Sequence, residues 1–223
     1  SKRLWPYHKK RSIDEVINEI SFQASIPTVK DIAFYDDALL VDKEEHFYWL
    51  CKRLKENLSN IRYHTPNGLH VREIDETCAR YLYRTGFKTI RLSLESTEPF
   101  IQKASSDKVH KHQYVKAVEN LLEAGYLHKD IETYVLVGLP GQTYKSALEA
   151  ITFVKSLGAT VKLAEYSPIP NTPMFNECTK LLPILEEEPL YQNNTAYCGY
   201  MSPNITQTEL QLLKDLAKKS LPS

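Results

Sequence analysis

The sequence predicts an α/β protein built on a parallel sheet. Helix-like and strand-like segments alternate along the chain in the order αβαβαβαβαβ, which is typical of a parallel α/β sheet or barrel. Near the middle, the β-rich segments 131–143 and 161–173 each end in Gly, Pro and polar residues, and the helix-like segment 144–157 separates them. Such a βαβ unit implies parallel strands whose carboxyl ends lie at one edge of the sheet. We therefore expect sequential parallel strands wrapped by helices, forming an incomplete barrel.

The predicted helices carry start signals or one apolar face. Ser12 and Glu15 have the spacing of a capping box, and Asp42 with Glu45 repeats that spacing. Further helices are predicted at 73–85, 112–124 and 144–157, and a last one begins at Thr206. The strands are predicted at 32–35, 61–64, 89–94, 131–137 and from residue 161, and 181–204 is predicted to be loop. The chain is thereby divided into a partial barrel, 1–178, and a C-terminal loop and helix extension, 179–223.

Composition excludes some function classes. Lys plus Arg equals Asp plus Glu, at 28 each, so no overall charge attracts the chain to nucleic acid or to an anionic membrane. No apolar run reaches the roughly 18 residues of a membrane span. Four scattered cysteines are typical of reduced thiols in a cytoplasmic protein.

Polar residues follow each predicted strand at its carboxyl end. Because parallel strands end at the same edge, we expect such residues to share one cleft. The alternative for any one of them is a structural role, since strand ends run into polar loops. The residues are Asp36 and Asp37, His64 and Asn67, Glu95 and Ser96, Gln142, and Glu165, Tyr166 and Ser167.

Two segments resemble a known family. The Gly138-Leu-Pro-Gly-Gln142 turn and the Pro-x-Pro-x-Thr-Pro loop at 168–173 are similar to the ends of the last two strands in radical S-adenosylmethionine (SAM) enzymes, and the resemblance covers about 1–175. It implies five strands of a (βα)6 partial TIM barrel, with the sixth strand expected before Ser1. The segment 34–37, Phe-Tyr-Asp-Asp, resembles the cobalamin-associated branch, so cobalamin is a candidate cofactor of the parent protein.

The cluster motif of that family is not in this sequence. Radical SAM enzymes hold a [4Fe-4S] cluster with Cys-x-x-x-Cys-x-x-Cys, whereas the cysteines here, Cys51, Cys78, Cys178 and Cys198, have no such spacing. We expect the cluster ligands upstream of Ser1, no metal ligand in this chain, and no activity of the fragment alone. The resemblance implies an oxidoreductase that cleaves SAM reductively to a 5′-deoxyadenosyl radical, acts on an unknown substrate, and takes its electron from a flavodoxin or ferredoxin.

The resemblance also implies a SAM-binding set. In it, Asp36 and Asp37 meet the SAM ammonium, Glu95 and Ser96 the ribose or methionine moiety, and Lys103 the carboxylate. Val137 and Tyr166 lie beside the adenine, and the turn at Gly138 lets the ligand approach the backbone. The structural alternatives are a helix-capping Asp pair, a solvated lysine and core packing.

At the level of function, the alternatives are a metal-free TIM-type barrel enzyme and a degenerate, non-catalytic SAM-fold binding module. If a strand precedes Ser1, the strand at 32–35 has an open edge, through which we expect the fragment to self-associate, and we expect 1–10 to be poorly anchored.

Overall fold

The computed structural model describes residues 9–36, 38–94, 111–197 and 204–219. Its strands are β1 Asp31–Ala33, β2 Arg62–His64, β3 Phe87–Leu94, β4 Ile131–Val137 and β5 Thr160–Glu165. Its helices are α1 Ile13–Ala24, α2 Phe47–Asn57, α3 Glu76–Thr85, α4 Lys111–Ala124, α5 Tyr144–Ser156, α6 Pro173–Leu181, α7 Ile184–Glu187, α8 Asn194–Ala196 and α9 Gln207–Lys218. Short 3-10 turns lie at Val71–Glu73, His128–Asp130 and Pro189–Gln192.

The five strands form one open parallel sheet in the order β1-β2-β3-β4-β5. The register places Asp31 beside Arg62, and Ala33 beside His64, which in turn lies beside Thr89. This arrangement confirms the predicted fold class and the sequential strand order. Since the order follows the sequence, each crossover joins neighbouring strands through a helix, as right-handed βαβ units do.

Local capping signals account for several helix ends. The predicted box at Ser12 is present, with the Glu15 amide donating to Ser12 Oγ at 3.3 Å. The box at Thr206 is also present, with the Glu209 amide donating to Thr206 Oγ1 at 3.2 Å. Gly86 ends α3 at φ 99°, a left-handed conformation that favours glycine. These ends were predictable because each depends on residues within one helical turn.

Two predicted helix starts and one predicted loop are wrong. The Asp42–Glu45 pair does not start a helix: Asp42 adopts φ 51°, its carboxylate pairs with Lys10, and α2 begins only at Phe47. The third helix starts at Glu76 rather than residue 73, because Asp75 caps it by accepting from the Cys78 amide at 2.7 Å. The segment predicted as loop, 181–204, contains α7, α8 and a 3-10 turn among its described residues.

The described residues divide into two compact units. The first unit comprises 9–36, 38–93 and 111–133, and the second comprises 94, 134–197 and 204–219. The core of the first unit contains an aromatic cluster of Phe34, Phe47, Tyr63 and Phe87, with ring centroids 5.5–6.0 Å apart. The core of the second unit is mainly aliphatic, with the fully buried Val135, Ala147, Ile151, Val154 and Leu213, and it also contains the paired rings of Tyr166 and Tyr197.

Within the part of the chain that the structure describes, no helix combines the length and apolar character that crossing a lipid bilayer requires.

Candidate functional site

The turn after β4 is held by one buried side chain. Gln142 is 1% exposed, and its Oε1 accepts from the amides of Gly138 at 2.8 Å and Leu139 at 3.3 Å. Its Nε2 donates to the Leu136 carbonyl at 3.0 Å. Gln142, one of the polar residues expected in the cleft, therefore acts inside the turn, where it satisfies backbone groups that the turn would otherwise leave unpaired.

The same turn leaves room for a close approach to its backbone. Gly138 has φ 89° and Gly141 φ 76°, so both occupy the left-handed region that glycine adopts readily. A Cβ placed on Gly141 would meet no atom within 4 Å. Thr143 then caps α5 reciprocally with Ser146. The result is a rigid turn with an accessible glycine at the carboxyl end of a parallel strand.

The carboxyl end of β5 lies beside that of β4. The Tyr166 amide donates to the Val137 carbonyl at 2.8 Å, which brings two of the predicted adenine residues together. The Tyr166 side chain is 9% exposed and packs edge-on against Tyr197, with ring centroids 5.9 Å apart. Cys178 donates to the Tyr197 hydroxyl at 3.4 Å in the same buried cluster. The Tyr166 ring is thus part of the core of the second unit.

The loop at 168–173 forms the start of a helix that sequence reasoning missed. Thr172 accepts from the Phe175 amide at 3.2 Å, and Pro173 occupies the first turn of α6, as prolines commonly do. Asn171 adopts φ 65° just before this cap. The Thr-Pro pair is the local signal from which this helix start could have been predicted.

The carboxyl end of β1 opens into a groove. Asp36 follows β1, is exposed, and accepts from the Ala38 amide at 2.7 Å, an Asx-type turn. The groove has a volume of about 360 Å³. Its lining is mixed: apolar side chains, among them Ile20, Ile32, Phe34 and Leu50, and charged ones, namely Lys9, Lys10, Arg11, Glu19 and Asp36. The structural alternative had anticipated a helix cap, but Asp36 instead holds a turn, and it also borders the groove.

Four members of the predicted SAM-binding set, Asp37, Glu95, Ser96 and Lys103, lie outside the described residues. The structure places Val137, Gly138 and Tyr166 together in the second unit and Asp36 in the first. The expectation of one shared cleft remains a prediction.

Sequence reasoning missed a polar cluster on β1, β2 and β3. Asp31 accepts from Arg62 Nε at 2.6 Å and from His64 Nε2 at 2.9 Å, and His64 Nδ1 lies 3.3 Å from Thr89 Oγ1. The hydrogen bond from Arg62, and then that from His64, holds the pKa of Asp31 well below its usual range. No local pattern could have shown this cluster, because its members meet only through the strand register.

The described cysteines do not fit an iron–sulfur cluster. Cys51, Cys78 and Cys178 are all buried and form no disulfide. Burial raises the pKa of Cys51 to about 12 and also raises the pKa values of Cys78 and Cys178, whereas a cluster binds thiolates. In the described part of the chain, no three His, Cys, Asp or Glu side chains come together as metal ligands could.

A sequence model of one protein family matches most of the chain. It is the model of the radical SAM superfamily, and it matches residues 1–154. Together with the open parallel sheet and the Gly138 turn, this match shows that the chain belongs to the radical SAM superfamily. No individual curated protein matches the chain.

Solved structures share the fold. The radical SAM methyltransferase TsrM from Kitasatospora setae, solved with cobalamin and a [4Fe-4S] cluster bound, superposes with a TM-score of 0.65 at 18% identity, over 77% of this chain and 34% of that one. Coproporphyrinogen III oxidase (HemN) from Escherichia coli gives 0.60 at 17% identity, over 74% and 39%. HydG, a maturase of the [FeFe]-hydrogenase, gives 0.53 at 15% identity, over 95% and 49%. The chain thus spans less than half of each of these proteins.

The residues present fit SAM in part. Asp36 offers a carboxylate to an ammonium group, in a groove that Lys9, Lys10 and Arg11 also line, and the exposed Gly141 permits a ligand to approach the backbone of the turn. Each feature follows a parallel strand at its carboxyl end, where ligands bind in this fold class.

Proposed function

We propose that this chain is the SAM-binding scaffold of an enzyme that cleaves SAM reductively. The family match over 1–154 carries this proposal, and the Gly138 turn supports it. In the parent protein, a [4Fe-4S] cluster would supply the electron that converts SAM to methionine and a 5′-deoxyadenosyl radical, which then abstracts hydrogen from a substrate. The described cysteines do not fit that cluster, so its ligands would come from other residues and this chain alone would be inactive.

The chain's own part in this function is to bind and orient SAM. Asp36, with Asp37, would accept hydrogen bonds from the SAM ammonium, a charge-assisted contact. Glu95 and Ser96 would hold the ribose or methionine moiety, and Lys103 would pair with the carboxylate. The proposed adenine contacts are supported by a backbone that hydrogen bonds hold in place. Gln142 accepts from the Gly138 amide, and the Tyr166 amide donates to the Val137 carbonyl.

Cobalamin is proposed as a second cofactor of the parent protein. The observation that favours it is the Phe-Tyr-Asp-Asp segment at 34–37, and the fold likeness to a cobalamin-bound methyltransferase is consistent with it. The substrate is left open, because no described feature selects one chemical class.

SAM binding by the full-length protein, reconstituted anaerobically with iron and sulfide, tests the proposal. We expect calorimetry to show SAM binding, and we expect dithionite to produce 5′-deoxyadenosine and methionine. Glu95→Ala should weaken SAM binding by one to two orders of magnitude, because a hydrogen bond to a charged group contributes roughly 1.5–3 kcal/mol. The matched control is Glu123→Ala, an exposed position on α4. SAM binding without cleavage would support a non-catalytic binding module instead, and no SAM binding would overturn the proposal.

A further inference from the structure

The loop that follows β1 forms one wall of the groove at the carboxyl end of that strand. We call residues 38–46 the β1 loop. Its backbone is a series of turns, in which the Val41 amide donates to the Ala38 carbonyl at 2.9 Å and the His46 amide to the Asp42 carbonyl at 3.0 Å. The shape of the groove depends on how this loop is held. The groove-lining side chains of the loop are Ala38, Leu39, Val41 and His46.

Polar contacts with distant parts of the chain hold the β1 loop, and they differ in burial. The Asp42 carboxylate pairs with Lys10, and His46 Nε2 lies 3.0 Å from the Arg11 carbonyl; both contacts are exposed to solvent. Exposed contacts between charged groups contribute little to stability. Lys43 is different, because it is only 8% exposed although it carries a charge.

Lys43 joins the β1 loop to the start of α3. Its Nζ donates to Asp75 Oδ2 at 2.7 Å and to the Glu73 carbonyl at 2.6 Å. Asp75 is also the N-cap of α3. Between these two residues, the Ile74 carbonyl accepts from Asn120 Nδ2 of α4 at 2.9 Å, in a buried hydrogen bond. The β1 loop is thus tied to a segment that two helices hold in place, and all of these residues belong to the first unit.

Both members of the Lys43–Asp75 pair are charged at neutral pH. Burial by itself would lower the pKa of Lys43, but the hydrogen bond and the charge of Asp75 outweigh it and raise that pKa above its ordinary value. Burial would likewise raise the pKa of Asp75, but the hydrogen bonds from Lys43 and from the Cys78 amide lower it. The contact is therefore an ion pair with directional hydrogen bonds.

Stability alone does not require an ion pair at this place. Taking two charges out of water costs free energy that their attraction offsets only in part, so apolar residues of similar size are often as stabilising. The β1 loop already has an apolar anchor in Leu40, which is 1% exposed. What Lys43 adds is direction, because its Nζ reaches Asp75 and the Glu73 carbonyl together in only a narrow range of loop arrangements.

We propose that Lys43 is a positioning residue of the groove: it holds the β1 loop in the arrangement in which Asp36 and the groove accept the ammonium group of SAM. This inference rests on the proposed function. Lys43 acts through the loop rather than by touching the ligand, since its ammonium group contacts the start of α3 while its neighbours Leu39, Val41 and His46 line the groove.

Calorimetric titration of SAM into the full-length reconstituted protein tests this inference. Lys43→Met removes the ammonium group and keeps an unbranched side chain, and Asp75 is left solvated because its side chain is 53% exposed. The affinity for SAM should fall at least about fivefold, because the binding-competent loop arrangement becomes a minor one. The matched control is Tyr114→Phe, which removes a buried 2.6 Å hydrogen bond to Thr133 elsewhere in the first unit. Its affinity should stay within about twofold of wild type.

A double-mutant cycle assigns the effect to the ion pair. Asp75→Asn retains an oxygen that can cap α3 but removes the carboxylate, so it should also weaken SAM binding. The double variant Lys43→Met/Asp75→Asn should bind SAM within about twofold of the weaker single variant, because residues that act as one pair are not additive. Additive losses would contradict the role of the pair.

Hydrogen exchange without ligand checks the loop directly. In Lys43→Met, the amides of 38–46 should exchange faster than in wild type, because the loop opens more easily, while those of α4 should keep their protection. In Tyr114→Phe, the amides of 38–46 should be unchanged. Circular dichroism and urea unfolding show that each variant is folded and how far its stability has fallen.

The inference is overturned if Lys43→Met binds SAM as tightly as wild type, if Tyr114→Phe weakens binding equally, or if 38–46 keep their protection in Lys43→Met. If Lys43→Met does not fold, Asp75→Asn decides the question by the same measurements. Failure of the wild type to bind SAM would instead refute the proposed function, whereas the exchange comparison, which needs no ligand, would still show whether Lys43 holds the β1 loop.

Discussion

The two outer strands of the described sheet, β1 and β5, protect their backbones in different ways. β5 packs against α9, where Lys214 forms an ion pair with Glu165 at 2.7 Å and Leu213 is fully buried. β1 is three residues long, its Asp31 and Ala33 side chains are exposed, and a groove of mixed polar and apolar lining adjoins it. Helix cover and short, charged strands are both known protections of a sheet edge. Within the described residues, β5 thus packs against a helix, whereas β1 is a short strand whose outer side the described helices leave exposed at Asp31 and Ala33.

The largest effect should come from removing the cover of β5. Leu213→Ala deletes a fully buried side chain from α9 and should lower the free energy of unfolding by about 2–5 kcal/mol, because it leaves a cavity. Denaturant unfolding of the full-length protein measures this loss. The matched control is Leu212→Ala, at a position 52% exposed on the same helix, where a change within about 0.5 kcal/mol is expected. Equal effects at both positions would show that α9 does not act as a packed cover.

The next effect concerns the end of α9. Lys155 Nζ donates to the carbonyl of Leu216 at 2.7 Å and also to that of Lys219, two groups that a helix end leaves without intrahelical partners. Lys155→Met keeps the aliphatic stem and removes both bonds, so the free energy of unfolding should fall by about 1–2 kcal/mol. Lys145→Met, at an exposed position on the same helix, α5, is the control. A loss no larger than the control's would mean that α9 is held by apolar contact alone.

Local signals predicted far more of the fold than of the candidate site. The caps at Ser12 and Thr206 were predictable because both partners of each hydrogen bond lie within one turn. The same signal misled at Asp42, which adopts φ 51° and whose carboxylate pairs with Lys10, 32 residues away. Neither feature can be read from the spacing of residues 42 and 45.

In the candidate site too, features set by neighbouring residues were predictable, whereas features set by long-range contacts were not. The glycine-rich turn after β4 was predictable from Gly138 and its neighbours, and the positive φ of Gly138 agrees with it. The burial of Gln142 was not predictable, because a polar residue after a strand is equally compatible with a solvent-facing and an inward side chain. The Asp31–His64 contact was missed for a similar reason, since it requires the register of β1 against β2.

A smaller and pH-dependent effect is expected at β1. The pKa of Asp31 is lowered, chiefly by the hydrogen bond from Arg62. A carboxyl group with a lowered pKa in the folded state contributes stability above its unfolded pKa of about 3.9 and loses it as the pH falls through the folded value. The difference in free energy of unfolding between wild type and Asp31→Asn should therefore be present at pH 6 and narrow below about pH 4. A difference that stays constant from neutral to acidic pH would rule out this role for the Asp31 charge.

The smallest effect on stability should come from Ala33→Lys, which tests whether β1 is the surface through which the isolated chain self-associates. The Lys30 carbonyl accepts from the Arg62 amide at 2.9 Å, and the Phe34 amide donates to the His64 carbonyl at 2.9 Å. Since alternate residues of a strand direct their backbone groups to opposite sides, those of Ala33 point away from β2. A lysine at this exposed position should leave the free energy of unfolding within about 0.5 kcal/mol of wild type, yet it should shift sedimentation toward the monomer, because a charge at an edge opposes strand pairing. Thr160→Lys, at an exposed position on β5, should leave the association state unchanged. If Ala33→Lys and Thr160→Lys shift sedimentation equally, self-association is not specific to β1. If neither variant shifts it while the wild type associates, the contact lies outside the edges of the sheet.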